Sequence, residues 1–214
     1  LGRLETVVTT YPINEMFFSL QGEGARAGSA NVFVRFAGCN QTCSVPTHGF
    51  DCDTEFVSHV RLTGAEIMLR IQSLWKADCK PSVILTGGEP LLSVTEELAA
   101  MLIDECETVA VETNGSLPMP TSLFNDERAN VWIACSPKVA EHAVQLQRAD
   151  ELRYVRHDRQ GIPKPRLEAL YKYLSPAWVG GGFEPGAMKT CRRLIAENPT
   201  WSLSTQQHKL WGVR

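Results

Sequence analysis

The sequence predicts an α/β fold, with about six mainly parallel strands curved into a partial, open β/α barrel and few helices. Three observations carry this. Short apolar runs recur along the chain, and several are continuous rather than alternating, as expected of parallel strands covered on both faces. Helical patterns lie between many of them, which is the rhythm of β/α units. The runs are too few for a closed eight-stranded barrel.

In chain order, the first strand-like run is NVFVRF (31–36). A helix is expected over 63–77, where Thr63 and Glu66 have capping-box spacing and Ile67, Met68, Ile71, Leu74 and Trp75 form one stripe. SVILTG (82–87) reads as a strand, followed by a second helix over 93–106 with Ser93 and Glu96 in the same spacing. TVAVET (108–113), VWIACS (131–136) and ELRYVR (151–156) continue the strands. PRLEALYKYL (165–174) and GAMKTCRRLIAEN (186–198) read as helices, with strands at AWVGGG (177–182) and WSLST (201–205). NGSLPMP reads as a turn with proline breakers.

A chain of 214 residues fits one domain, and no interdomain linker or internal repeat is evident. The formal net charge is -3, with no block of like charge, so a large electrostatic footprint for nucleic acid or an anionic membrane is not indicated. No apolar run approaches the roughly 20 residues of a membrane helix, and the first twenty residues carry no secretory pattern. A soluble cytoplasmic protein is expected. The 7 cysteines argue against a fully paired disulfide framework. Cys79, Cys106, Cys135 and Cys191 are scattered among apolar segments and read as small buried hydrophobes.

The other three cysteines crowd into CNQTCSVPTHGFDC (39–52). Three residues separate Cys39 from Cys43, and eight separate Cys43 from Cys52. Three thiolates on a loop after a strand can hold three irons of a [4Fe–4S] cube and leave the fourth open to a ligand. The same stretch, with His48, has spacing compatible with a Cys3His zinc site. On the cysteines alone both readings stand. LTGGEP (85–90) ends the next strand, where glycine backbone can approach a ligand without a Cβ in the way.

The cysteine loop after one strand and GGEP after the next resemble the radical S-adenosylmethionine (SAM) superfamily. The second cysteine interval departs from that superfamily's pattern, with eight residues instead of two. More specifically, the chain resembles the 7-carboxy-7-deazaguanine synthase (QueE) family. The segments carrying this are SLQGEGARAG (19–28), FVRFAGCN (33–40), CDTEF (52–56), TGGEP (86–90), VETNGS (111–116), SPK (136–138) and SLSTQQHKLWGVR (202–214).

The resemblance implies one radical SAM domain over 1–214, with its cluster loop at 39–52. Its cofactors are a [4Fe–4S] cluster, SAM and Mg²⁺, and its substrate is 6-carboxy-5,6,7,8-tetrahydropterin. The family is a carbon–nitrogen lyase of queuosine-type 7-deazapurine biosynthesis and tRNA modification. It uses a 5′-deoxyadenosyl radical to contract the pterin ring with loss of ammonia. Carried over residue by residue, Cys39, Cys43 and Cys52 are the cluster ligands and Thr54 the Mg²⁺ contact. Asp51, Asp53, Gly87, Gly88, Ser136, Pro137 and Lys138 lie along SAM. Glu112 reaches the ribose or stays a structural carboxylate at a strand end. Leu20, Gln21, Gly22, Arg35, Thr86, His208 and Arg214 line the substrate site. Arg35 suits a carboxylate by its paired donors, unless it forms a salt bridge at the strand end. His208 and Gln206 are expected in the last strand. The Gln-Pro-containing SAM contact expected after the sixth strand is replaced by WVGGGFEPG. An electron donor such as flavodoxin or ferredoxin, a homodimer, and no direct contact with membrane or nucleic acid complete the expectation. The alternatives are another radical SAM enzyme, such as a glycyl-radical activase, and a non-catalytic zinc module.

Overall fold

The computed structural model describes residues 8–50, 52, 54–125, 130–179 and 181–214. Strand β1 (Thr10–Leu20) pairs antiparallel with β2 (Ala30–Phe36). The long connection after β2 carries a one-turn helix, α1 (Val45–His48), and ends in β3 (Val60–Thr63), which pairs with the other edge of β1. Helix α2 (Gly64–Leu74), β4 (Ser82–Gly87), α3 (Glu96–Glu105), β5 (Thr108–Thr113), α4 (Thr121–Asn125), β6 (Asn130–Cys135) and β7 (Ala149–Arg156) follow. Then come β8 (Ala169–Pro176), a small hairpin of β9 (Trp178–Val179) and β10 (Gly182–Phe183), α5 (Ala187–Glu197), β11 (Ser202–Leu203) and α6 (Gln207–Trp211). Among the described residues the main sheet has 9 strands in the order β11-β8-β7-β6-β5-β4-β2-β1-β3, parallel from β2 to β11.

Alternation along these strands separates core from cleft. Val32, Val34 and Phe36, then Val83 and Leu85, Val109 and Val111, Ile133 and Leu152 lie on one face and join Ile67 and Ile71 of α2 and Leu98 and Leu102 of α3 in one core. The intervening residues, among them Arg35, Thr86, Glu112 and Arg153, turn to the other face. The loop after β1 crosses that face. Its Ala25 N–H donates to Glu151 of β7 (2.8 Å), and Arg26 donates to Ser82 of β4 (3.0 Å). A loop leaving β1 can reach β7 on one face only if the sheet curls around it, as in a partial barrel.

Thr63 and Glu66 form the expected capping box on α2. On α3 the cap is Thr95 rather than Ser93, because the chain at Ser93 is still closing the turn over Pro90–Leu92. Glu96 instead accepts from the backbone N–H groups of Thr121 and Ser122. The helix expected over 165–174 is not formed. Leu167, Leu170 and Leu174 have helical spacing, yet residues 169–176 pair with β7 throughout their length, and Leu170 is left 79% exposed. Tyr171 and Tyr173 stack on one face of this strand, with Tyr171 against Trp132 of β6. Aromatic cross-strand packing outweighs the helical pattern here. The strand expected at 177–182 shrinks to the β9–β10 hairpin. Among the described residues, no helix is long and apolar enough to cross a membrane.

Candidate functional site

The parallel strands end on one side of the sheet, and the loops leaving β2, β4, β5 and β6 meet there. The cysteine loop is anchored at its start by Gly38, whose N–H donates to the Phe56 carbonyl (2.7 Å) and whose carbonyl accepts from Glu89 N–H (3.0 Å). Two residues on, Asn40 donates to Ser116 Oγ (2.8 Å) and accepts from Asn114 Nδ2 (3.0 Å). Glu89 is fully buried, and its carboxylate accepts from Leu91 N–H, Thr113 Oγ1 and Asn114 N–H at 2.7–3.1 Å. Burial pushes the Glu89 carboxyl up, against those three donors. The Gly87–Gly88 pair also has a purely structural reason. A Cβ on Gly87 would lie 2.1 Å from the Phe36 carbonyl oxygen, and one on Gly88 would lie 2.0 Å from that of Gly38. No larger residue lets the β4 exit pass the cysteine loop at this distance.

Cys39, Cys43 and Cys52 all line one cavity of about 240 Å³. Burial pushes the Cys39 and Cys43 thiols up, and Cys52 adds to both through its charge. Lys138 opposes the rise at Cys43. The three thiols are therefore near neighbours around one space, and they match in number the protein ligands of a [4Fe–4S] cube with one open iron. Among the described residues, no three His, Cys, Asp or Glu side chains converge on a single-ion position. His48 is turned elsewhere: Nδ1 lies 2.8 Å from Thr47 Oγ1 and Nε2 lies 3.3 Å from the Lys138 carbonyl oxygen. Residues 48–50 of the insert are thus docked on the strand ends. Phe50 packs under Lys138 Nζ (5.2 Å from the ring centre), and Gly49 sits against the His157 ring.

Ser136 and Lys138 line this same lobe, as do Gly87, Gly88 and Glu112, and Lys138 Nζ donates to Ser136 Oγ (2.7 Å). Pro137 lines neither this lobe nor its neighbour. Asp51 and Asp53 lie outside the described residues. In place of the expected Gln-Pro segment, Ser175 and Pro176 at the end of β8 and Trp178 of the hairpin form the far wall.

A second cavity, about 340 Å³, opens beside the first. Leu20, Gln21, Gly22, Arg35, His208 and Arg214, which the resemblance assigns to substrate, line it. Gln21 is buried and donates through Nε2 to Glu112 Oε1 (2.8 Å). Gly22 is pinned by Gln207 N–H (2.9 Å), and a Cβ there would strike the His208 ring at 2.1 Å. His208 and Gln206 belong to α6 and its N-cap rather than to the last strand, because β11 ends at Leu203. Arg35 is paired with Glu15 across the β1–β2 ladder, so it both borders the cavity and makes the strand-end salt bridge.

Glu23, Thr54, Thr86, Glu112, Arg153 and Gln206 line both cavities, which are two lobes of one cleft. Arg153 organises this shared wall. Its side chain is 5% exposed and touches Glu23 (2.5 Å), Glu112 and Glu151 (3.0 Å). Burial pushes Glu151 up to about 7, ahead of the opposing Ala25 N–H. Arg153, Glu151, Phe50 and Trp178 were not singled out from the sequence. The signal available for the first two was alternation in ADELRYVR, where Glu151 and Arg153 share the face opposite the apolar Leu152.

A family model described as a 4Fe-4S single cluster domain matches residues 20–117. The 7-carboxy-7-deazaguanine synthase of Bacteroides thetaiotaomicron is 34% identical over 202 residues, covering 94% of this chain and 98% of that protein. That of Bradyrhizobium diazoefficiens is 34% identical over 220 residues, covering 96% of this chain and 100% of that protein. The crystal structure of QueE from Escherichia coli shares the fold, with a TM-score of 0.67 at 22% identity over 93% of this chain and 95% of that one. With near-complete coverage at this identity, the chain belongs to the 7-carboxy-7-deazaguanine synthase family.

Proposed function

We propose that this chain is a radical SAM enzyme that converts 6-carboxy-5,6,7,8-tetrahydropterin to 7-carboxy-7-deazaguanine with loss of ammonia. The observation that carries this reading is the shared wall: a lobe ringed by three thiols opens onto a lobe bordered by Arg35 and Gln21. Family membership supplies the substrate class.

In this reading Cys39, Cys43 and Cys52 hold a [4Fe–4S] cluster through three irons. Bound together, the cluster and SAM supply one-electron hydrogen-abstraction chemistry. The chain's own residues bind and orient. Gly88 and Ser136 offer backbone and hydroxyl groups to the methionyl end of SAM, and Lys138 closes that side. Glu112, fixed by Arg153 and Gln21, presents its remaining acceptor capacity to the ribose hydroxyls. Thr54 borders both lobes and offers Mg²⁺ a hard oxygen ligand next to the substrate. Arg35 and Arg214 take the substrate carboxylate, while Gln21 and His208 meet the polar ring edge. Phe50 and Trp178 exclude water from the first lobe.

The whole of 1–214 acts as one radical SAM domain, cytoplasmic and homodimeric, with a flavodoxin or ferredoxin as electron donor. Anaerobic turnover of the reconstituted protein with SAM, Mg²⁺, a reductant and the carboxy-tetrahydropterin tests the proposal. The 7-deazaguanine carboxylate and ammonia should form in equal amounts. SAM cleavage without ring contraction would overturn the substrate assignment.

A further inference from the structure

On the antiparallel β1–β2 pair, Glu15 stands opposite Arg35 and Phe17 stands opposite Phe33. The two rings stack with their centres 5.1 Å apart. Glu15 divides its carboxylate between two cations, with Oε1 on Arg35 and Oε2 on Arg214. Both guanidinium groups also rest on the Phe17 ring, Arg35 at 5.4 Å and Arg214 at 4.8 Å from its centre. Ser19, two residues further along the same face of β1, donates to the Arg214 carbonyl (2.6 Å). Residues 15, 17 and 19 thus form one edge that receives the tail, while Phe17, Arg35 and Arg214 line the second lobe.

The Glu15–Arg214 pair is exposed on its arginine side and contributes only about 0–1 kcal/mol to stability, so folding alone gives little reason for it. Its effect on the lobe is larger. Two guanidinium groups share the Glu15 carboxylate, whose single charge balances only one of them. They are also held side by side on a rigid aromatic base, at the separation one carboxylate spans. Without Glu15 the two cations repel, and the Arg214 side chain, already 67% exposed, is the one able to leave.

We propose that Glu15 is a positioning residue that sets Arg35 and Arg214 as a two-guanidinium clamp, selecting a carboxylated pterin over the same ring without its carboxylate. This rests on the pterin reading above. The test titrates fluorescent 6-carboxypterin, and separately unsubstituted pterin, into reconstituted protein with SAM present, for wild type, Glu15→Gln, Arg214→Ala and the double variant. Wild type should prefer 6-carboxypterin by about tenfold or more, the scale of one charge-assisted pair. Each single variant should erase most of that preference without weakening pterin itself, and the double variant should lose no more than either single. Glu15→Asp should recover part of it. In turnover, KM for the carboxylated substrate should rise with kcat largely kept. If Glu15 merely dilutes positive charge, Glu15→Gln will bind 6-carboxypterin more tightly than wild type, which overturns the clamp. Equal binding of both pterins by wild type also overturns it and leaves the pterin reading intact. Failure of wild type to bind either one overturns both.

Discussion

The guanidinium of Arg153 lies buried against the carboxylate of Glu112, at the wall the two lobes share. Because Glu23 and Glu151 converge on the same guanidinium, its removal leaves three carboxylates without their common cation. Arg153→Met is expected to destabilise the fold by about 3 kcal/mol, the scale for breaking a buried pair. Glu23 and Glu112 keep some access to water, which limits the loss. Urea unfolding measures it, and a difference under about 1 kcal/mol would show that Arg153 is not the organising charge.

Glu151 gives the stability a pH dependence of definite sign. Its folded-state value of about 7 stands above its ordinary 4.5, so the fold favours the protonated acid. That stabilisation is complete below about 4.5 and is lost as the pH rises through about 7. Glu151→Gln, which stays neutral, should flatten this decline. The gap between the variant's and wild type's unfolding free energies should therefore change by on the order of 2 kcal/mol between those limits. Parallel curves would mean that Glu151 titrates in the fold as it does in the unfolded chain.

Gly88→Ala should displace the cysteine loop, since its Cβ would also meet Cys39 Cβ at 2.8 Å. The expected result is a folded protein by circular dichroism that takes up less than half of the wild type's iron. Full iron loading in this variant would show that the loop can move aside.

Iron content also separates the cysteines. After reconstitution, wild type and Cys79→Ala should hold about four irons and four sulfides per chain. Cys39→Ala, Cys43→Ala and Cys52→Ala should hold clearly less and fail to cleave SAM. A Cys52→Ala protein with a full, active cluster would remove that residue from the ligand set.

His48→Ala should keep its iron, because both ring nitrogens already face Thr47 and the Lys138 carbonyl. Loss of iron would point to ligation by His48. Purification with one zinc per chain in place of iron would revive the mononuclear site.

Much of the site was legible because it sits on short motifs at strand ends. Gly87–Gly88, Ser136 and the cysteine loop needed only the β/α rhythm to be placed on one side of the sheet. What stayed hidden depends on pairing across the sheet. Arg153 and Glu151 read as ordinary strand residues until Glu23 and Glu112 arrive from distant segments. The strand at 169–176 read as a helix because leucine spacing is local information, whereas its ladder with β7 and the Tyr171–Trp132 contact are not. Strand β1 escaped notice for a related reason. Both of its faces carry aromatic residues, since Phe17 turns to the cleft and Phe18 to Trp75 of the helical side.

The six side chains common to both lobes make the cleft a thermodynamic junction. On the proposed reading, a ligand that fixes Thr54 or Gln206 from one side fixes it for the other, so part of the ordering cost of the second ligand is met by the first. By linkage the effect is mutual: whatever factor SAM lends to pterin affinity, the pterin returns to SAM. Substitutions at this wall should therefore weaken the reinforcement between the two ligands more than they weaken either ligand bound alone.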